Sequence, residues 1–178
     1  MKTAAIIYWS KTGNTKKVSE AIKEALEEAE FDVSYLTVEE AEGIDYFDYD
    51  LVCIGFPSYE WSTPRPMTIF LRTNLAKHRK AGLVKGGAPE VLGKNVLIFC
   101  TYSGPHTGIN EAIPAGLYAG QFFEHIGFKV LDYWYILSEF HGHEKASTKG
   151  RMGDIRGKPT EAELAKIKEN TINLAKSL

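Results

Sequence analysis

Two runs that stay apolar without polar alternation, Thr3–Trp9 and Leu51–Phe56, constrain this chain more than any other feature. A strand that faces solvent on one side alternates apolar and polar residues, whereas a strand buried on both faces reads as a continuous hydrophobic run. Such strands need helices over both faces of their sheet, and the segments between them supply helical spacing. Val18, Ala21, Ile22, Ala25, Leu26 and Ala29 mark one helix, reaching to about Glu30. Met67, Phe70, Leu71 and Leu75 mark a second, after the breaks at Pro57, Pro64 and Pro66. Phe31–Val38, Asn95–Thr101 and Lys129–Leu137 read as three further strands. A further helix runs to about Ile126, with Gly127 as its closing residue and Pro114 marking either its first turn or a kink.

Beyond the fifth strand, Ser138–Pro159 lacks periodicity and reads as a long loop. Thr160 and Glu163 then form a T-x-x-E capping box for a last helix carrying Leu164, Ile167, Leu174 and Leu178. Strands alternating with helices require right-handed β-α-β crossovers and a parallel sheet. The expected fold is therefore α/β, a doubly wound five-stranded parallel sheet in the order 2-1-3-4-5, spanning residues 1–178 as one domain.

A chain of 178 residues can bury roughly 70% of its unfolded surface and needs no disulfide or metal staple. Cys53 and Cys100 lie inside apolar stretches, a usage that fits a reducing cytoplasm. No apolar run approaches the roughly 18 residues of a membrane span. A formal charge of −2 argues against nonspecific nucleic-acid binding.

That small net charge hides a segregation. Residues 20–60 hold 13 of the 23 acids and a single basic residue, Lys23. Arg72–Lys94 carries six Lys or Arg against Glu90, and Lys145–Lys158 carries five against Asp154. These stretches are either solvated faces or a basic rim that attracts an anion.

Doubly wound sheets bind ligands beyond the carboxyl ends of their strands, so the loops there are the candidate site. After the first strand come Ser10, Lys11, Thr12, Gly13, Asn14 and Thr15, leading directly into a helix. Hydroxyls, an amide and a glycine around unpaired helix N–H groups make a phosphate cradle. The run lacks both GxGxxG and GxxxxGK[ST], and suits a terminal phosphomonoester as on a mononucleotide. After the third strand come Pro57, Ser58, Tyr59, Glu60 and Trp61, whose exposed aromatics can stack on a flat conjugated ligand. After the fourth come Thr101, Tyr102, Ser103, Gly104, Pro105, His106 and Thr107. His141-Gly142-His143-Glu144 has too few ligands for a dependable zinc site, so no metal and no catalytic side chain is expected.

The Ser-Lys-Thr-Gly-Asn-Thr run after an N-terminal strand resembles the phosphate loop of the flavodoxins and wider flavodoxin-like FMN proteins. The resemblance covers nearly the whole chain. It implies FMN as cofactor, with Ser10, Thr12, Gly13, Asn14 and Thr15 on its phosphate. It also implies that Pro57–Trp61 and Thr101–Thr107 enclose the ring, with Tyr59, Trp61 and Tyr102 as stacking candidates. The implied function is electron transfer with a redox partner protein. The alternative is an NAD(P)H-dependent FMN or quinone reductase, which Ala146–Thr148, Gly153-Asp154 and Pro159-Thr160 resemble. Thr101–Ile109 contains no acid and the second loop has no glycine, both unlike acid-rich electron carriers. Oligomeric state stays open, with a homo-oligomer possible.

Overall fold

Residues 1–178, all described by the computed structural model, form the predicted sheet. Its strands are β1 (Thr3–Tyr8), β2 (Asp32–Thr37), β3 (Leu51–Pro57), β4 (Asn95–Tyr102) and β5 (Lys129–Leu137). They pair all-parallel in the order β2-β1-β3-β4-β5. The helices are α1 (Asn14–Glu28), α2 (Arg65–Lys80), α3 (Ile113–Glu124), α4 (Glu144–Lys149) and α5 (Glu161–Lys176).

The two unbroken apolar runs follow from double burial. Successive residues of a strand point to opposite faces. Ala4 and Ile6 of β1 join α1 and α5 in one core, with Val18, Ile22, Leu26 and Ile167. Ala5 and Ile7 join α2 and α3 in the other, with Met67, Leu71, Ala119 and Phe123. Between β1 and β3 the chain reverses its direction of travel across the sheet, creating a crevice where loops diverge. The register brings the ends together: Tyr8 lies beside Gly55, Pro57 beside Thr101, and Tyr102 beside Leu137.

Local signals hold at several junctions. Pro114 lies in the first turn of α3. Gly127 follows that helix at φ 83°, a left-handed conformation that glycine adopts without penalty. Thr160 and Glu163 cap α5 reciprocally. Strand bounds shift by a residue or so, and Tyr102 closes β4 rather than standing in the loop after it. The long loop Ser138–Pro159 requires correction, because it contains α4. Six residues span fewer than two turns, too few for a 3.6-residue apolar period to register. No helix is long and apolar enough to cross a membrane.

Three glycines set distances between elements. A Cβ on Gly116 or Gly120 of α3 would lie 2.4 Å or 2.2 Å from the hydroxyls of Tyr135 and Tyr133, so both positions bring the helix close to β5. At Gly55, inside β3 and paired with Phe99 of β4, a Cβ would lie 2.0 Å from the Phe99 ring. Gly55→Ala is therefore expected to destabilise the protein by about 1–3 kcal/mol through overpacking. A urea-unfolding midpoint unchanged from the parent would refute that packing.

Candidate functional site

The loops after β1, β3 and β4, together with the segment after β5, enclose one cleft of about 1070 Å³ at the carboxyl edge of the sheet. That volume suits a sizeable organic ligand. Of the residues anticipated from sequence, all but Gly13 line it. Gly13 lines a smaller neighbouring hollow of about 360 Å³ with Lys11 and Lys16.

The first loop presents free backbone N–H groups beside the free hydroxyl of Thr12. Gly13 sits at φ 100°, turning the chain into α1. Ser10 Oγ accepts from the N–H of Gly13 (3.2 Å) and of Lys16 (3.3 Å). The N–H groups of Lys11, Thr12, Asn14 and Thr15 have no partner within the protein. The first turn of α1 carries Lys16 and Lys17 and no acid. Cations there oppose the helix dipole, an arrangement that an anion at the N-terminus would offset.

Several hydroxyls expected to meet a ligand instead tie the loops together. Thr15 and Thr101, both buried, share a 2.8 Å hydroxyl–hydroxyl bond joining the first and third loops. Ser58 N–H donates to Thr101 O (2.8 Å), and its hydroxyl donates to Glu111 O, joining the second loop to the third. Ser103 Oγ donates to Ser138 O (2.9 Å), and Asn14 Nδ2 donates to Glu139 O (2.9 Å). The segment after β5 thus closes a ring of ties around the cleft. Thr12 is left with its hydroxyl free.

The aromatics divide by environment. Tyr102 is buried, and burial pushes its hydroxyl pKa above the usual range. Tyr59 meets the edge of Trp9 at 5.8 Å and is 41% exposed, whereas Trp61 is 63% exposed. Tyr59 and Ser62 exchange both backbone hydrogen bonds across Glu60 and Trp61. Those two central residues sit at φ 47° and 62°, a type I′ geometry that ordinarily favours Asn-Gly. The second loop lacks a glycine yet adopts a glycine-like turn. In the third loop Gly104, at φ 54°, approaches Gly108 so closely that a Cβ would lie 2.6 Å from its carbonyl oxygen.

Charge at the cleft departs from the sequence expectation. Thr101–Ile109 has no acid of its own, but Glu111 folds back onto it. Its Oε1 accepts from the N–H of His106 (2.7 Å) and Thr107 (2.6 Å). Glu60, Glu111 and Glu139 all line the cleft. Of the basic stretches, Arg72–Lys94 contributes no lining residue. Lys145–Lys158 reaches the third loop through Arg151, whose N–H donates to Pro105 O (2.8 Å). Cys100 is buried, and burial pushes its thiol pKa far up, so it offers no nucleophile.

Sequence reasoning overlooked the fourth wall, Ser138–His143. The available signal was its position immediately after the fifth strand, on the same edge as the other loops.

Residues 5–99 match the family model described as a flavodoxin domain. The chain belongs to the flavodoxin family. Among solved structures of the same fold, oxidised flavodoxin 1 from Bacillus cereus superposes with a TM-score of 0.68 at 14% identity, covering 99% of each chain. A flavodoxin from the domain Archaea gives 0.63 at 19% identity, covering 98% of this chain and 97% of that one. The Flv1 flavodiiron core of Synechocystis gives 0.62 at 17% identity, with 99% of this chain spanning 36% of that one. No curated protein matches the sequence.

Flavodoxins bind FMN, and the residues present fit that group. Four unpartnered N–H groups at a helix N-terminus suit its phosphate, and a cleft walled by Tyr59, Trp61 and Tyr102 suits a flat ring. Thr12→Val is expected to weaken FMN by roughly 1–3 kcal/mol and riboflavin little, since a hydrogen bond to a charged group is lost. Equal losses for both flavins, read by fluorescence titration, would remove Thr12 from the phosphate end.

Thr15→Val should instead act on folding. It leaves the buried Thr101 hydroxyl without a partner, costing about 1–3 kcal/mol, and adding Thr101→Val should recover part of that. A double variant less stable than Thr15→Val by the full cost of a second independent lesion would contradict the pairing.

Proposed function

We propose that residues 1–178 act as one flavodoxin-like domain that carries electrons between partner proteins in a reducing cytoplasm. In this reading the N–H groups and hydroxyls of Ser10–Thr15 hold the FMN phosphate, while Pro57–Trp61 and Thr101–Thr107 enclose the ring. Bound FMN supplies reversible electron acceptance, and the protein supplies position and electrostatics.

The observation carrying this reading is the set of carboxylates on the cleft, above all Glu111, fixed by two backbone N–H groups. A carboxylate so held cannot swing away from charge that develops beside it. At an effective dielectric near 20, a unit charge about 6 Å away is worth roughly 2–3 kcal/mol. Three carboxylates against two cations, Lys11 and Arg65, leave the cleft lining net acidic, which disfavours added electrons near Glu111 as suits a reducing carrier. The stretch Arg72–Lys94, which would favour an anionic nucleotide, stands off the cleft. Trp61 offers an exposed apolar surface at the rim, where a partner protein would dock.

With FMN loaded, neither NADH nor NADPH is expected to sustain quinone reduction by this protein alone. Reduction should instead require a flavoprotein reductase as electron donor. Trp61→Ala is expected to slow transfer to such a partner while costing the flavin no more than about 0.5–1.5 kcal/mol of affinity. Steady NAD(P)H oxidation with a quinone, followed by absorbance, would overturn the carrier reading in favour of a reductase.

A further inference from the structure

The outer face of α2 carries charge of one sign. Between Arg65 and Lys80 the helix holds Arg65, Arg72, Lys77, Arg79 and Lys80 and not one acid. Arg65, Ile69, Arg72, Ala76 and Arg79 are all exposed. Their spacing of four, three, four and three residues puts them on a single stripe of the helix. Met67, Phe70, Leu71, Asn74 and His78 are buried on the opposite side. At 1.5 Å of rise per residue the stripe runs roughly 21 Å.

A charged helix face that only meets water mixes its signs and pairs them. α1 and α5 show that pattern, with Lys16 on Glu20, Lys23 on Glu27, Lys166 on Glu169 and Lys168 on Glu24. No arginine of the α2 stripe has a carboxylate partner. Arg72 Nε instead donates to Tyr118 OH at 3.2 Å, which ties its side chain to α3. In the last turn Lys77, Arg79 and Lys80 suit the negative end of the helix dipole. That account does not reach Arg72 in mid-helix, and Arg65 in the first turn opposes the dipole.

Apolar surface lies at the same end of the helix. Ile69, between Arg65 and Arg72 on the stripe, is 54% exposed, and Leu117, next to Tyr118 on α3, is 49% exposed. Trp61, Arg65 and Ile69 also line the cleft, so the stripe starts at the flavin site and leads away from it. The acids at that end are Glu60 and Glu111 on the cleft, and α3 adds none before Glu124. Exposed aromatic and aliphatic groups flanked by arginine have the composition of a protein-docking centre. The chain as a whole is at −2, with 13 acids in residues 20–60, and so opposes approach to an extended polyanion. A folded partner avoids that repulsion by presenting its carboxylates to this stripe alone.

We propose that the stripe Arg65–Ile69–Arg72–Arg79 is the docking face for an acidic redox protein, whose apolar spot seats on Ile69 and Trp61 while its carboxylates align with the arginines. The inference rests on the carrier reading and adds to it the sign of the partner's charge.

The test uses reduced, FMN-loaded protein as electron donor to two forms of one acceptor. One is native cytochrome c, which is basic; the other is cytochrome c acylated with succinic anhydride, which turns its lysines into carboxylates. Each transfer moves one electron from the reduced flavin to the ferric haem iron and is read by stopped-flow absorbance. At low salt the succinylated form is expected to be reduced about 10-fold faster than the native form, and added salt should erase the advantage. Arg72→Gln combined with Arg79→Gln, both off the cleft, should abolish that advantage. Arg72→Glu combined with Arg79→Glu should reverse it in favour of native cytochrome c. Equilibrium binding of the succinylated form, measured by isothermal titration calorimetry, should weaken in the same order. If the two cytochromes respond equally to the substitutions, or not at all, the proposal is overturned and the carrier reading stands. Reduction of neither cytochrome by the parent would overturn the carrier reading, and the proposal with it. Arginine-dependent binding of single-stranded DNA or of phosphatidylserine vesicles, with no difference between the cytochromes, would give the stripe to another class of anion and overturn the proposal too.

Discussion

The buried hydroxyl pair of Thr15 and Thr101 is the contact on which the geometry of the cleft depends. It fastens the first turn of α1 to the end of β4, across β3, the strand that separates β1 from β4 in the sheet. Polar groups so deeply buried are costly unless each satisfies the other, and here they do. The second loop then hangs from Thr101 through its carbonyl, and the fourth segment from Asn14 next to Thr15. Loops on a sheet edge are ordinarily the least constrained part of an α/β domain. In this protein they form a cross-braced rim, and several of its polar side chains serve the bracing rather than the cleft.

That distinction explains what the sequence could and could not disclose. The fold was legible because its signals are local: unbroken apolar strands, helical periodicity, Gly127 and the Thr160–Glu163 box. The cleft was legible as a position, since parallel topology dictates which loops share an edge. The assignment of side chains to tasks was not. Ser10-Lys11-Thr12-Gly13-Asn14-Thr15 reads as a row of equivalent polar donors, yet Thr15 and Asn14 face the protein while Thr12 remains free. Nothing along the chain marks that difference, which arises from Thr101 and Glu139, 86 and 125 positions away.

The same limit governs charge. Counting acids in Thr101–Ile109 gives none, but a short 3-10 turn at Gly108–Glu111 returns a carboxylate to the loop's backbone. Charge near a site is a property of space, and a loop's own residues are a poor census of it. The basic stretch Arg72–Lys94 errs in the opposite direction, being close in sequence to Arg65 on the cleft but leading away along α2.

Gly116 and Gly120 carry this logic to the far side of α3. The 3-10 turn bearing Glu111 runs directly into that helix, so the height of the helix above β5 sets how far Glu111 can reach. The hydroxyl of Tyr135 donates to Ile113 O at 3.2 Å, drawing the start of α3 down onto the strand. A methyl group at either glycine would act as a wedge under a lever whose free end is the carboxylate beside His106. The footing of the turn that carries Glu111 thus rests on two positions behind the cleft that matter because they have no side chain.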